Sequence, residues 1–214
     1  MNPLFSGRIP DWTNYELASG LFLGFHGCDA SLGEALLRGK ETHLRLSQND
    51  YDWLGSGIYF WQNNPRRALQ FALERQTGGL NSRGTIETPF VIGAVINPLR
   101  ALDLAEASAL LQVKDAYNSL VEATEDAGAA LPSNGASLRA RRLDCAVLNL
   151  LHDLRQNEGV PAYDSVRGLF FEGDELYPGA GLRAANHIQI CIRNPRCILG
   201  YFRPIENDLP EVEA

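Results

Sequence analysis

Along the chain, short apolar runs alternate with stretches in which apolar residues recur at helical spacing. Residues 21–25 (LFLGF) are an apolar run closed by His26-Gly27, which reads as a buried strand entering a turn. Residues 30–39 (ASLGEALLRG) predict a helix, with Ser31 as N-cap and Gly39 where it stops. Polar residues fill 40–50, and 55–61 (GSGIYFW) then offer two glycines for a bend followed by a strand. Asn64-Pro65 opens a helix over 66–75, with Pro65 suited to its first turn. Residues 78–84 (GGLNSRG) predict a loop, and 89–97 (PFVIGAVIN) the clearest buried strand. Helical spacing resumes over 105–127 and 138–157, separated by Pro132, Asn134 and Gly135. Strands are then expected at 166–171, 187–192 (HIQICI) and 197–202, with a long ordered loop at 172–183. No repeat or convincing linker divides this pattern. It predicts one α+β domain over 1–204 with a helical insertion at about 105–157, then an acidic, disordered tail at 205–214.

Composition narrows the class. With 214 residues, 45% of them hydrophobic and 21% charged, the chain can bury a full core and lies far from the composition of disordered segments. The formal charge of -7 argues against a generic basic coat for nucleic acid, although a local basic face is compatible with it. Cys28, Cys145, Cys191 and Cys197 form no CxxC pair and no zinc-ligand spacing, so reduced thiols and no metal are expected. The first residues (MNPLFSGRIPDW) lack the basic and apolar regions of a secretion signal, and no apolar run reaches membrane-spanning length. The expected compartment is the cytoplasm, without a membrane partner.

Three segments carry candidate chemistry: FHGCDASLGEALLRG, then YDWLGSGIYFW with an Asn-Pro-Arg-Arg-Ala helix behind it, and NHIQICIRNP. Together they resemble the core motifs of ADP-ribosyltransferases of the diphtheria-toxin and poly(ADP-ribose) polymerase branch. That signature is a strand ending in His-Gly, a Gly-x-Gly-Ile-Tyr-Phe segment, and a late strand bearing a Glu or a substitute. Here the positions are His26-Gly27, Gly55 to Phe60, and Gln189. The similarity runs from residue 21 to about 72, is plausible for 90–104 and 186–202, and is absent from the helical middle. It implies a split antiparallel sheet with flanking helices.

The resemblance implies NAD as substrate, with no metal. His26 would hydrogen-bond an NAD ribose hydroxyl, the Gly27 backbone would hold the nicotinamide carboxamide, Gly57 would lie in the cofactor-binding segment, and Tyr59 would stack on the nicotinamide. Strict family spacing places the second aromatic wall at Gln70, with Phe71 adjacent. Gln189 stands where the family carries its Glu; its carbonyl can accept from a ribose hydroxyl, but it brings no charge. Glu172 or Glu175, in the preceding loop, could supply a carboxylate, and His187 shares a strand face with Gln189. The implied activity is a single ADP-ribose transfer to a macromolecular acceptor, nucleic acid or protein, with nicotinamide released. By analogy alone it implies a bacterial intracellular toxin with an antitoxin partner, or a phage-defence protein. An inactive NAD- or ADP-ribose-binding module and an NAD glycohydrolase are the alternatives.

Residue by residue, plainer readings compete. His-Gly alone is usually a turn, Tyr59 and Phe60 alone are strand core, Phe71 is helix core, and Gln189 and Glu172 are solvated. The co-occurrence of the motifs favours the site. Arg139, Arg141, Arg142, Arg193 and Arg196 are expected to form a basic rim beside the 172–183 loop.

Overall fold

The computed structural model describes residues 20–77, 86–135 and 140–205. The expected loop at 78–84, Arg139 and the tail beyond 205 lie outside them. Among the described residues the fold is mixed α+β, with one seven-stranded open sheet and four α-helices. The elements run β1 (Phe22–Asp29), α1 (Ala30–Leu37), β2 (Ile58–Gln62), α2 (Pro65–Gln76), β3 (Pro89–Ile96) and β4 (Ala101–Asp103). They continue with α3 (Ala107–Asp126), α4 (Arg142–Asn157), β5 (Ser165–Phe170), β6 (His187–Ile192) and β7 (Ile198–Phe202). The strand order is β4-β5-β6-β2-β1-β3-β7, and every pair is antiparallel except β4 with β5.

Period-2 alternation gives the sheet two apolar faces. On one, Ile58, Phe60, Ile92, Ile96, Ile190 and Ile192 pack with Leu36 of α1. On the other, Leu54, Val166 and Cys191 lie under α3 and α4, while Phe25 and Trp61 lie under Ala68 of α2. Tyr59, Trp61, Gln189 and Cys191 therefore share the second face, against the α2, α3 and α4 layer.

Two expectations are corrected and one strand is added. His26-Gly27 is no turn: β1 continues to Asp29 and pairs with β3 along its whole length. The α1 N-cap is Asp29 rather than Ser31, its Oδ1 accepting from the Ser31 N–H at 2.9 Å. Asp29 Oδ2 also accepts from the Glu87 and Thr88 N–H groups, and these bonds together hold its carboxyl far below the usual range. β4 was not anticipated; its three residues pair with β5 across the long helical excursion. The predicted stop at Gly39 matches a left-handed backbone there, φ 68°, which glycine adopts without strain. Asn64 caps α2 through its side chain, with Pro65 at the first position.

His152 on α4 is buried at 4% exposure, and neither ring nitrogen has a hydrogen-bond partner among the described residues. Burial, with the charges of Arg193 and Arg155 behind it, pushes its pKa down to about 3. The folded state refuses a proton that the unfolded state accepts below about pH 6.5. Stability from this group is therefore present above that pH and lost as pH falls toward 3, by about 1.4 kcal/mol per unit. His152→Leu should gain about 2 kcal/mol on the wild type between pH 8 and pH 5 in urea denaturation. A difference independent of pH would show that His152 is not the source.

Candidate functional site

The site begins where a ladder stops. Asn63 N–H donates to Leu23 C=O at 2.9 Å, and the β1–β2 register runs only through Gly24 with Gln62 and Phe25 with Trp61. Backbone groups alternate along a strand, so Leu23, Phe25 and Gly27 all aim theirs toward β2. The next hydrogen-bonded pair would join Gly27 to Tyr59, but the strands have parted. The Tyr59 carbonyl instead accepts from His26 Nδ1–H at 2.8 Å. This bond fixes the tautomer and leaves Nε2 as an acceptor. Burial lowers the His26 pKa, keeping the ring neutral, with the charge of Arg75 acting in the same direction.

Gly27 thus presents N–H and C=O to the split. Its glycine identity has a second cause: a Cβ there would stand 2.1 Å from the Ala68 carbonyl of α2. Gly57 is different. Its N–H and C=O are both bonded to Ser47, at 3.0 and 2.8 Å, and a Cβ would strike Cys191 Sγ at 2.4 Å. It lets β2 approach β6, and its N–H is already committed to Ser47.

Tyr59 is half-buried, and its hydroxyl is locked on both sides, donating to Gly55 C=O at 2.7 Å and accepting from Leu54 N–H at 3.0 Å. Its ring is thereby fixed to the 51–55 segment. Helix α2 packs on the same face of the sheet, over Phe25, Gly27 and Trp61. Ala68, Phe71, Ala72 and Arg75 recur at helical spacing, with Ala68 and Ala72 fully buried while Gln70 is exposed. Phe71, rather than Gln70, faces the sheet, its ring 5.1 Å from that of Trp61.

Gln189 pairs with Trp61 on β2 and Gly168 on β5. Its Oε1 accepts from Trp53 Nε1–H at 2.6 Å. An indole nitrogen only donates, so the amide orientation is set and the amide hydrogens are what Gln189 offers a ligand. A role for its carbonyl toward ribose must share that oxygen with Trp53. Trp53 is held by Gly168, where any Cβ would meet its ring at 2.5 Å.

Glu172 meets Arg67 rather than solvent: Arg67 Nη2 donates to its Oε2 at 2.9 Å, and His187 Nδ1 lies 3.9 Å from the same oxygen. Arg67 is 9% exposed, sits over Trp61 at 5.6 Å and also approaches Glu74 at 3.7 Å. His187 shares the Gln189 face as expected, and its Nδ1–H donates to Ala185 C=O at 2.7 Å. Glu175 lies farther out, paired with Arg183 at 3.8 Å.

Among the described residues Arg141, Arg142 and Arg193 do not converge into a basic rim. Arg141 stacks on Phe170 at 4.3 Å and Trp53 at 5.2 Å, and Arg142 bonds Asp50 at 3.0 Å. Arg193 donates to Ser56 C=O beyond the C-terminal end of β6, whereas Glu172 faces its N-terminal end. A 620 Å³ groove lies beyond Trp53 and Arg141, walled by Leu110, Val113, Tyr117, Leu148 and Phe171. Tyr59, His26 and Gln189 do not line it.

The four cysteines are free and buried, and burial pushes the Cys28, Cys191 and Cys197 thiols up to about 12. Among the described residues no three His, Cys, Asp or Glu side chains converge as a metal set, and no helix is long and apolar enough to cross a membrane. Comparison with family models, with curated proteins and with solved structures finds no match.

Sequence reasoning missed Arg67 and Arg75 as parts of the site. Arg75 was findable, since it falls one turn beyond Phe71 on the same stripe. Arg67→Met should destabilise the fold by about 3 kcal/mol in urea denaturation, because Glu172 is left part-buried without its cation. An effect below about 0.5 kcal/mol would mean the pair is solvated as a surface bridge is.

Proposed function

We propose that the chain is an NAD-dependent mono-ADP-ribosyltransferase of the diphtheria-toxin and poly(ADP-ribose) polymerase type, acting on a macromolecular acceptor. The observation that carries the reading is the interrupted β1–β2 ladder. Gly27 turns an N–H and C=O outside the β1–β2 ladder toward the gap between the strands, and Tyr59 and Phe71, on the same sheet face, are the walls this reading gives to a cleft there, suited to a carboxamide and the flat ring attached to it. His26 Nε2 would accept from a ribose hydroxyl.

In the reaction, the bond between ribose C1′ and the nicotinamide nitrogen breaks, and its electron pair neutralises the pyridinium as nicotinamide leaves. The acceptor's lone pair forms the new bond to C1′ and its proton is lost. Positive charge gathers on the sugar in between, so fixed dipoles and carboxylates near it lower the barrier. Gln189 supplies only a dipole. Glu172 is the charge on that side, and its Oε1 is the oxygen that Arg67 leaves for an acceptor proton. The missing strand carboxylate favours a single transfer over chain extension.

The second reading is a non-catalytic module that binds NAD or ADP-ribose. Its support is that the Gln189 carbonyl and the Glu172 carboxylate are both already engaged by protein donors. Incubation with labelled NAD and cell lysate separates the two: release of nicotinamide with labelling supports transfer, and binding without turnover supports the module. Release without lysate points to hydrolysis. Protease or nuclease digestion then identifies the class of acceptor.

Three substitutions test the site. Tyr59→Ala should weaken NAD binding about 10-fold or more in calorimetry, whereas Tyr59→Phe keeps the ring and should cost about 1 kcal/mol of stability through the lost loop bonds. Equal NAD affinity for wild type and Tyr59→Ala would remove Tyr59 from the site. Gln189→Glu should raise nicotinamide release about 10-fold by putting a charge near the sugar cation, and an unchanged rate would mean that the ribose lies elsewhere.

A further inference from the structure

Arg75 lies in the last turn of α2, on the stripe that faces the cleft, with its guanidinium 5.0 Å from the Phe71 ring centroid. It interacts electrostatically with Asp52, and its field reaches the His26 ring. The other arginines around the cleft are engaged: Arg67 by Glu172, Arg193 by the Ser56 carbonyl. Arg75 has neither a carboxylate within salt-bridge distance nor a hydrogen-bond acceptor among the described residues. It is half-buried all the same, and desolvation pulls its pKa down. A cation can wait there because the negative end of the helix dipole and the π-face of Phe71 both favour it. Neither uses the guanidinium donors. Asp52 is a weak competitor: Ser47 Oγ–H donates to its Oδ2, and burial raises its pKa.

We propose that Arg75 is the anion anchor of the cleft, holding the diphosphate of a dinucleotide whose ring end lies between Tyr59 and Phe71. The inference rests on the NAD reading. The planar fork of an arginine matches two phosphate oxygens at once, and its place one turn past Phe71, within electrostatic reach of His26, suits the diphosphate linking two ribosides.

The test is calorimetry at low salt with three probes, inorganic pyrophosphate, ADP-ribose and nicotinamide, on wild type, Arg75→Gln and Arg75→Lys. Arg75→Gln should lose about 10-fold or more in affinity for ADP-ribose and for pyrophosphate while nicotinamide binding is unchanged. Arg75→Lys, which keeps the charge without the fork, should fall between them, and it carries the comparison if the glutamine variant does not fold. If ADP-ribose binds wild type and variants alike, Arg75 is not the anchor and the NAD reading stands. If pyrophosphate needs Arg75 but the wild type neither binds NAD nor releases nicotinamide, the NAD reading fails and Arg75 anchors another diphosphate. If wild type binds neither pyrophosphate nor ADP-ribose, the proposal is overturned.

Discussion

The candidate site depends on how the Tyr59 carbonyl is satisfied. Where β1 and β2 part, a buried carbonyl has to be satisfied, and an unpaired one would cost about 1–3 kcal/mol. The His26 imidazole does this from the side, in place of the main chain of Gly27. Two results come from one bond: β2 keeps its extended course into the pairing with β6, and Gly27 is released from the ladder. A main-chain pair at this point would close the gap between the strands. A residue without a ring donor at position 26 would leave the carbonyl stranded.

Around that gap, each wall is tied to the floor by a different kind of force. Helix α2 is set by apolar contact, with Ala68 against Gly27 and Phe71 against Trp61. The 51–55 segment is set by polar bonds, from the Tyr59 hydroxyl to Leu54 and Gly55 and from the Trp53 indole to Gln189. Arg67 and Glu172 join the start of α2 to the loop after β5. Polar ties of this kind are directional, so they orient side chains that packing alone would leave to rotamer preference.

Most of the elements were legible in the sequence because their signals are local. Asn64-Pro65 announces α2, and the β-branched run at 89–97 announces β3. His26-Gly27 misled because glycine usually punctuates a chain, whereas Gly27 is in mid-strand to admit the backbone of a helix 41 residues further on, at Ala68. β4 has only three residues and exists through its parallel partner. In the site, helix phase distinguishes Phe71 from Gln70 once the boundaries of α2 are known. The partners of Gln189 and Glu172 are 136 and 105 residues away in sequence, and no local pattern encodes them. Gly57 was read for its motif, but its job is to let strands approach.

The placement of β6 between β5 and β2 has a consequence for how the molecule is made. β1 and β3 lie within one stretch of chain and can pair as soon as residue 96 has emerged from the ribosome. β2 has to wait on its other edge for residues 187–192, because its register there joins Tyr59 to Cys191 and Trp61 to Gln189. Pairing over such a separation pays its loop-closure entropy before any contact rewards it, which makes it a late event in assembly. A nascent or truncated chain ending before β6 therefore has the His-Gly strand and the aromatic wall but no floor between them. The arrangement around the gap is completed only once residues 187–192 have been synthesised.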